Sequence, residues 1–173
     1  FKIEDIKVAI ESFIPSPSQT PGRLNMFNFR NFKVLLDYAH NPAGFRAMKD
    51  FVDQIDASKK VGIVAGVGDR RKEDNNELGA IAAEMFDEII IRQDRNLRGK
   101  NEADLINEIH SGIKSVHPEK KVDIIRSEKD AIIHAINNAE KDSLVIVSSD
   151  VVPDALNLVM KLREKERATA VSV

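Results

Sequence analysis

The sequence predicts a doubly wound α/β domain on a mostly parallel sheet with an N-terminal β-hairpin. Three observations carry that reading. Five short runs are rich in Val and Ile and continuous rather than alternating, stretches with helical spacing separate them, and the connections between are short. A strand covered on both faces needs apolar side chains on both phases of its pleat, so continuous runs mark a sheet buried between helices.

In chain order, residues 2–13 carry Ile3, Ile6, Ile10 and Phe13 on one helical face and stop at Pro15. "PSPSQTPG" (15–22) follows, a linker by composition. Two readings stay open: a small helix folded back on its own domain, or the last piece of a preceding domain with the linker as hinge. A helix, a proline-rich tether and then a complete α/β pattern favour the second, which divides the chain into 1–19 and 20–173. Residues 24–38, "LNMFNFRNFKVLLDY", place apolar residues on both sides of "FRNF" and predict a hairpin whose second arm is the first parallel strand.

The strand runs are 33–39, 60–67, 87–93, 121–127 and 143–149. Phe45, Met48, Phe51, Val52 and Ile55 form the first helical stripe between them, and Leu78, Ile81, Ala82 and Met85 the second. Leu105, Ile106, Ile109 and Ile113 form a third, and Ile132, Ile133 and Ile136 a fourth. Leu156, Val159, Met160 and Leu162 mark a closing helix.

A net charge of -2 argues against a dedicated nucleic-acid binder, which would show a basic excess or stripe. With no cysteine, disulfide scaffolds and thiolate metal sites are excluded, and a cytoplasmic location is the expectation. No apolar run approaches the roughly 18 residues that span a bilayer, so no membrane role is expected.

Chemistry is expected at strand ends. In "LLDYAHNPAGF" (35–45), Asp37 and Tyr38 end a strand and His40 lies in the turn. Asn41 suits the N-cap of the next helix and Pro42 its first turn. Asp37 and His40 are not required by that account, although an acid there also reads as a turn cap. As a pair they point to a ribose, a phosphate or a carboxylate. "AGVGDRRKED" (65–74) has two glycines of a dinucleotide fingerprint, but Arg71 occupies the third glycine's place. No G-x-x-x-x-G-K-[ST] loop occurs, so this chain lacks a P-loop.

"DYAHNP" (37–42), preceded by "TPGR" (20–23) after a linker, resembles the C-terminal domain of the Mur ligase superfamily, ATP-dependent enzymes that join an amino acid to a carboxylate. The likeness spans nearly the whole chain and implies a Rossmann-like fold. It places the P-loop in an upstream central domain of the same polypeptide. ATP is then bound mainly by that domain, Mg2+ is held outside this chain, and the chain alone is inactive. Arg23 matches an arginine at the start of the domain, and Asp37 the acid that hydrogen-bonds the ATP ribose when the domain closes. His40 and Asn41 match the turn beside them. The resemblance thus implies catalytic roles for Arg23, Asp37 and His40, and ATP contacts from Arg23, Asp37 and Asn41.

"SPSQTPGR", "GVGDRR" and "DRNLRG" (94–99) together resemble the branch that builds a polymer of aspartate and arginine by adding arginine to an aspartate side-chain carboxylate. Arg70, Arg71, Asp94, Arg95 and Arg98 are then candidates to frame the amino acid and the polypeptide acceptor, although solvated charged loops are the other reading. Many superfamily members carry a glycine-rich segment with a lysine after the last strand. Here "SSDVVPDAL" (148–156) stands instead, and the contacts of that loop are not carried over. Self-association of the longer enzyme is compatible with this reading. The alternative from a different class is a free-standing module that binds a small anionic ligand.

Overall fold

The computed structural model describes residues 2–12, 16–93, 95 and 97–171. Its six-stranded sheet has the order β1-β2-β6-β3-β4-β5. β1 (Asn25–Asn28) and β2 (Lys33–Asp37) form the expected antiparallel hairpin, with Asn25 opposite Leu36 and Phe27 opposite Val34. β3 (Lys60–Ala65), β4 (Glu88–Arg92), β5 (Lys121–Ile124) and β6 (Leu144–Ser148) all run parallel to β2. Each strand stops one to three residues before the apolar run that predicted it, because the last residues leave the ladder for loops.

The pleat explains the continuous runs. Leu35, Val64, Ile89, Ile91, Leu144 and Ile146 face one core with α2 (Pro42–Val52), α3 (Lys72–Met85) and α4 (Glu102–Val116). Their sequence neighbours Val34, Leu36, Val61, Ile63, Ile90, Val145 and Val147 face the other, beneath α5 (Glu128–Asn137) and α6 (Val152–Val171). Phe27 and Phe29 of the hairpin complete this second core. On the first face, a side chain at Gly62 would collide with the ring of Phe86. α3 and α4 approach backbone to backbone, Gly79 against the carbonyl of Ile109 and Gly112 against that of Asn76.

In α1 (Ile3–Glu11), Ile3, Ile6, Val8 and Ile10 are 80, 48, 64 and 69% exposed, so the less-favoured of the two readings, a helix folded back on its own domain, does not match the structure. Phe13 lies outside the described residues. One expectation needs correction. Phe51, placed in the core-facing stripe of α2, sits at the rim and is exposed, while Phe45, Met48 and Val52 are buried.

Helices following β2, β3 and β4 cover one face, and those following β5 and β6 cover the other. β6 lies between β2 and β3, so the loop leaving it parts from both neighbours. A crevice therefore opens at the carboxyl ends of the central strands, the usual ligand position in such sheets.

Candidate functional site

The first half of this edge is the turn after β2. Asp37 is buried, and both carboxylate oxygens accept backbone N–H groups, from Leu24 at 2.8 Å and from Ala39 at 2.7 Å. The acid therefore caps its turn and also grips the incoming chain. Tyr38 donates its N–H to the carbonyl of Gly22 at 2.8 Å. Above the Tyr38 ring sits the guanidinium of Arg23, 4.9 Å from its centroid, and His40 meets the same ring edge-on at 4.7 Å. His40 Nδ1 lies 3.1 Å from the carbonyl of Tyr38. A carbonyl only accepts, so Nδ1 carries the proton and Nε2 is the acceptor in the neutral ring. Asn41 caps α2 through Oδ1, which accepts from the N–H of Gly44 at 2.8 Å, with Pro42 in the first turn.

Next to it lie the two charged loops, which brace each other. A side chain at Gly68 would strike the carbonyl of Leu97, and one at Gly66 the carbonyl of Leu105. Gly68 thus serves packing between the loops, and Gly66 packing against α4. Asn75, buried at the start of α3, accepts from Val67 N–H at 3.0 Å and donates to Glu108 at 2.7 Å. Lys100 Nζ closes the chain, 2.9 Å from Glu108 Oε2. Arg98 pairs with Asp69 across the loops. Arg71 makes two hydrogen bonds to Asp74 at 3.1 and 2.7 Å, which hold that carboxyl below its ordinary range. Arg95 pairs with Asp154 of α6 at 2.9 Å. Arg70 differs: among the described residues it makes no ion pair, and its buried Nε has no hydrogen-bond partner. Asp94 lies outside the described residues.

The second half centres on Arg92, the last residue of β4, only 4% exposed. Its Nη2 donates to the carbonyl of Ser148 and to Asp150 Oδ1, both at 3.0 Å. Its Nε lies 3.0 Å from Glu128 Oε2, but out of line, so both atoms are charge-paired yet lack a partner in hydrogen-bonding geometry. The hydroxyls of Ser148 and Ser149 are likewise buried without one. Burial pushes the Glu128 carboxyl up, and the charge of Arg92 only partly opposes this. The cluster floors a cavity of about 680 Å³ between α5 and α6. Five cations (Arg92, Arg95, Arg126, Lys129, Lys161) line it against three carboxylates (Glu128, Asp150, Asp154).

The profile of the family described as "Mur ligase, glutamate ligase domain" matches residues 22–151, from the glycine bonded to Tyr38 to the loop after β6. The chain belongs to the Mur ligase family. It is 40% identical to the cyanophycin synthetase of Nostoc sp. over 93% of this chain and 18% of that one. With the UDP-N-acetylmuramoyl-L-alanyl-D-glutamate–2,6-diaminopimelate ligase of Caldanaerobacter subterraneus it shares 33% identity over 69% of this chain and 24% of that one. Its fold superposes on E. coli FolC in complex with DHPP and ADP with a TM-score of 0.69, covering 94% of this chain and 35% of that one at 18% identity. The chain thus spans 18% of the length of the cyanophycin synthetase of Nostoc sp.. Both the superfamily read from "DYAHNP" and the branch read from the three loops are borne out by these matches.

Four polar residues of this Mur ligase domain escaped the sequence reading: Asn25, Asn75, Arg92 and Glu108, all buried. A signal existed for two of them. Arg92 ends an unbroken Ile run, and Asn25 falls on the buried phase of β1 that Phe27 also occupies.

Proposed function

We propose that this chain is the C-terminal domain of an ATP-dependent ligase that joins an amino acid to a carboxylate, with residues 1–19 the end of the preceding domain and its tether, and 20–173 the mobile domain. ATP supplies the phosphoryl group that turns the acceptor carboxylate into an acyl phosphate, which the incoming amine attacks. The observation that carries the reading is the Arg23–Tyr38–His40 stack, held at the strand ends by a carboxylate that accepts one backbone N–H on each oxygen. Arg23 makes no ion pair among the described residues, so its planar fork is available to phosphoryl oxygens. His40 Nε2, the acceptor nitrogen of the neutral ring, suits a hydroxyl such as that of a ribose. In this structure Asp37 holds both groups in place, and Asn41 fixes the helix beneath them. With Gly66 and Gly68 engaged in packing, the triphosphate and Mg2+ are assigned to the upstream domain.

For the incoming amino acid we favour the cavity between α5 and α6. Its mixed lining suits a zwitterion: cations for the carboxylate, and Glu128, Asp150 and Asp154 for the ammonium and a guanidinium. Likeness to cyanophycin synthetase supports arginine as the substrate and an aspartate side chain as the acceptor. Arg95 opens onto the cavity, and Arg70 is the loop arginine with unused hydrogen-bonding capacity. Arg71 and Arg98 brace their loops.

The test is ATP hydrolysis by the longer enzyme, given an aspartate-rich acceptor and each of the twenty amino acids in turn. Arginine alone should support turnover, and Arg70→Lys should raise the KM for an amino-acid or acceptor substrate but not for ATP. Turnover that ignores amino acids would overturn the reading. Calorimetry on this chain separates it from a free-standing module, which would bind ATP or another small anion at micromolar concentration where a ligase fragment does not.

A further inference from the structure

We propose that Asn25 is a positioning residue that fixes the end of the tether to the sheet, so that the domain pivots before Thr20 and carries Arg23 as a rigid part. The anchoring stands on the hydrogen bonds of this chain alone, and the pivot rests on the reading of residues 1–19 as the end of a preceding domain and its tether.

Asn25 is fully buried, and its amide is spent entirely on the backbone of the tether. Oδ1 accepts from Gly22 N–H at 2.7 Å, and Nδ2 donates to the carbonyls of Thr20 at 3.0 Å and Arg23 at 3.2 Å. Asp37 takes the N–H of Leu24, and Tyr38 bonds the carbonyl of Gly22. Gly22 and Leu24 adopt left-handed backbone at φ 71° and 48°, and Gly22 sits hard against Val152 at the start of α6. From Thr20 to Leu24 the tether is therefore bound to two strands and a helix. Ser16–Gln19, in contrast, is bonded among the described residues only within its own turn, which Thr20 closes by donating its N–H to the carbonyl of Ser16 at 2.8 Å. Motion of the domain is confined to the residues before the collar, and Arg23 cannot move independently of Tyr38.

Tyr38 is the one tyrosine of a chain without tryptophan, so intrinsic emission reports on the Arg23 stack alone. Asn25→Asp makes a pH-readable test. Its second oxygen would face the carbonyls of Thr20 and Arg23, so the charged form is repelled and burial raises its pKa. Protonation restores a donor. The other ionisable groups at the collar are Arg23, Asp37 and His40, and His40→Gln takes the imidazole away from the Tyr38 ring. In that background, Asn25→Asp should show the emission of Arg23→Ala at pH 8 and return to the parent's at pH 5. In Asn25→Ala, the Gly22 amide should exchange with deuterium roughly tenfold faster while the Leu36 amide is unchanged. Parental emission at both pH values, or parental exchange at Gly22, would overturn the proposal. So would loss of the whole fold in both variants, which would make Asn25 a core residue and nothing more.

Discussion

Among the described residues, every buried side-chain polar atom at the Asp37 turn is hydrogen-bonded, whereas around Arg92 four are not: Nε of Arg92 and Oε2 of Glu128, which are charge-paired with each other, and the hydroxyls of Ser148 and Ser149. Both regions lie on one edge of one sheet, and both place a charged residue at the last position of a strand. The turn is assembled in advance: each oxygen of its carboxylate already holds a backbone N–H. The Arg92 region keeps unused donors and acceptors beside an open cavity. A buried group without a partner costs about 1–3 kcal/mol, so such a cluster persists where something else completes it. The polar atoms of the turn are satisfied within the domain, and those of the Arg92 cluster are not.

Removing Arg92 should have the largest effect. Arg92→Met leaves Glu128 and Asp150 without their cation and should cost about 3–5 kcal/mol in urea unfolding. The double variant with Glu128→Gln should lose less than the two single losses summed, because the stranded charge is gone. A cost under about 1 kcal/mol would mean that water serves the cluster as well as arginine does, and the contrast between the two regions would fail.

Asp37→Ala comes next. Read as a cap at a strand end, Asp37 is worth only about 1 kcal/mol. Its carboxylate in fact satisfies two N–H groups from separate segments, which raises the expected loss to about 2–4 kcal/mol. Chemical denaturation of Asp37→Ala and Asp37→Asn decides between the two figures. Asn41→Ala, which removes only the cap of α2, should cost about 1 kcal/mol, and Asn41→Gly a few tenths less than that.

The smallest effect is one of pH. Burial lifts the Glu128 carboxyl, so the folded form holds this proton more tightly than the unfolded chain does. The parent then loses stability as pH rises from the unfolded value of Glu128 to the folded one. Glutamine carries no such proton. The Tm of Glu128→Gln relative to the parent should therefore climb across that window and stay level on either side, as thermal melts from pH 4 to 8 would show. A constant difference would mean that Arg92 offsets the desolvation completely.

How much of this was legible beforehand follows from the range of each interaction. The hairpin, the parallel strands and the Asn41 cap depend on neighbours within a few residues or on the phase of a pleat, and the sequence carries both. Asn75 bonding to Glu108, or Arg92 to Asp150, depends on which helix crosses which strand end, and no local pattern encodes that. The charged loops are a middle case. Their composition pointed to anion binding, yet three of the four described arginines found carboxylates within the domain, and only the assembled loops single out Arg70. Exposure of α1 was anticipated in kind by the proline-rich tether after it, though not in degree.

The glycine contact between α3 and α4 bears on manufacture as much as on packing. Gly79 lies seven residues after Lys72, about 10 Å along α3, and each helix begins directly behind one of the two charged loops. The helices work as a yoke, with both loops mounted on its arms and a single clearance setting the gap between them. One methyl group at either glycine would spread the yoke, and the loops would go out of true together, each internally sound and neither meeting the other.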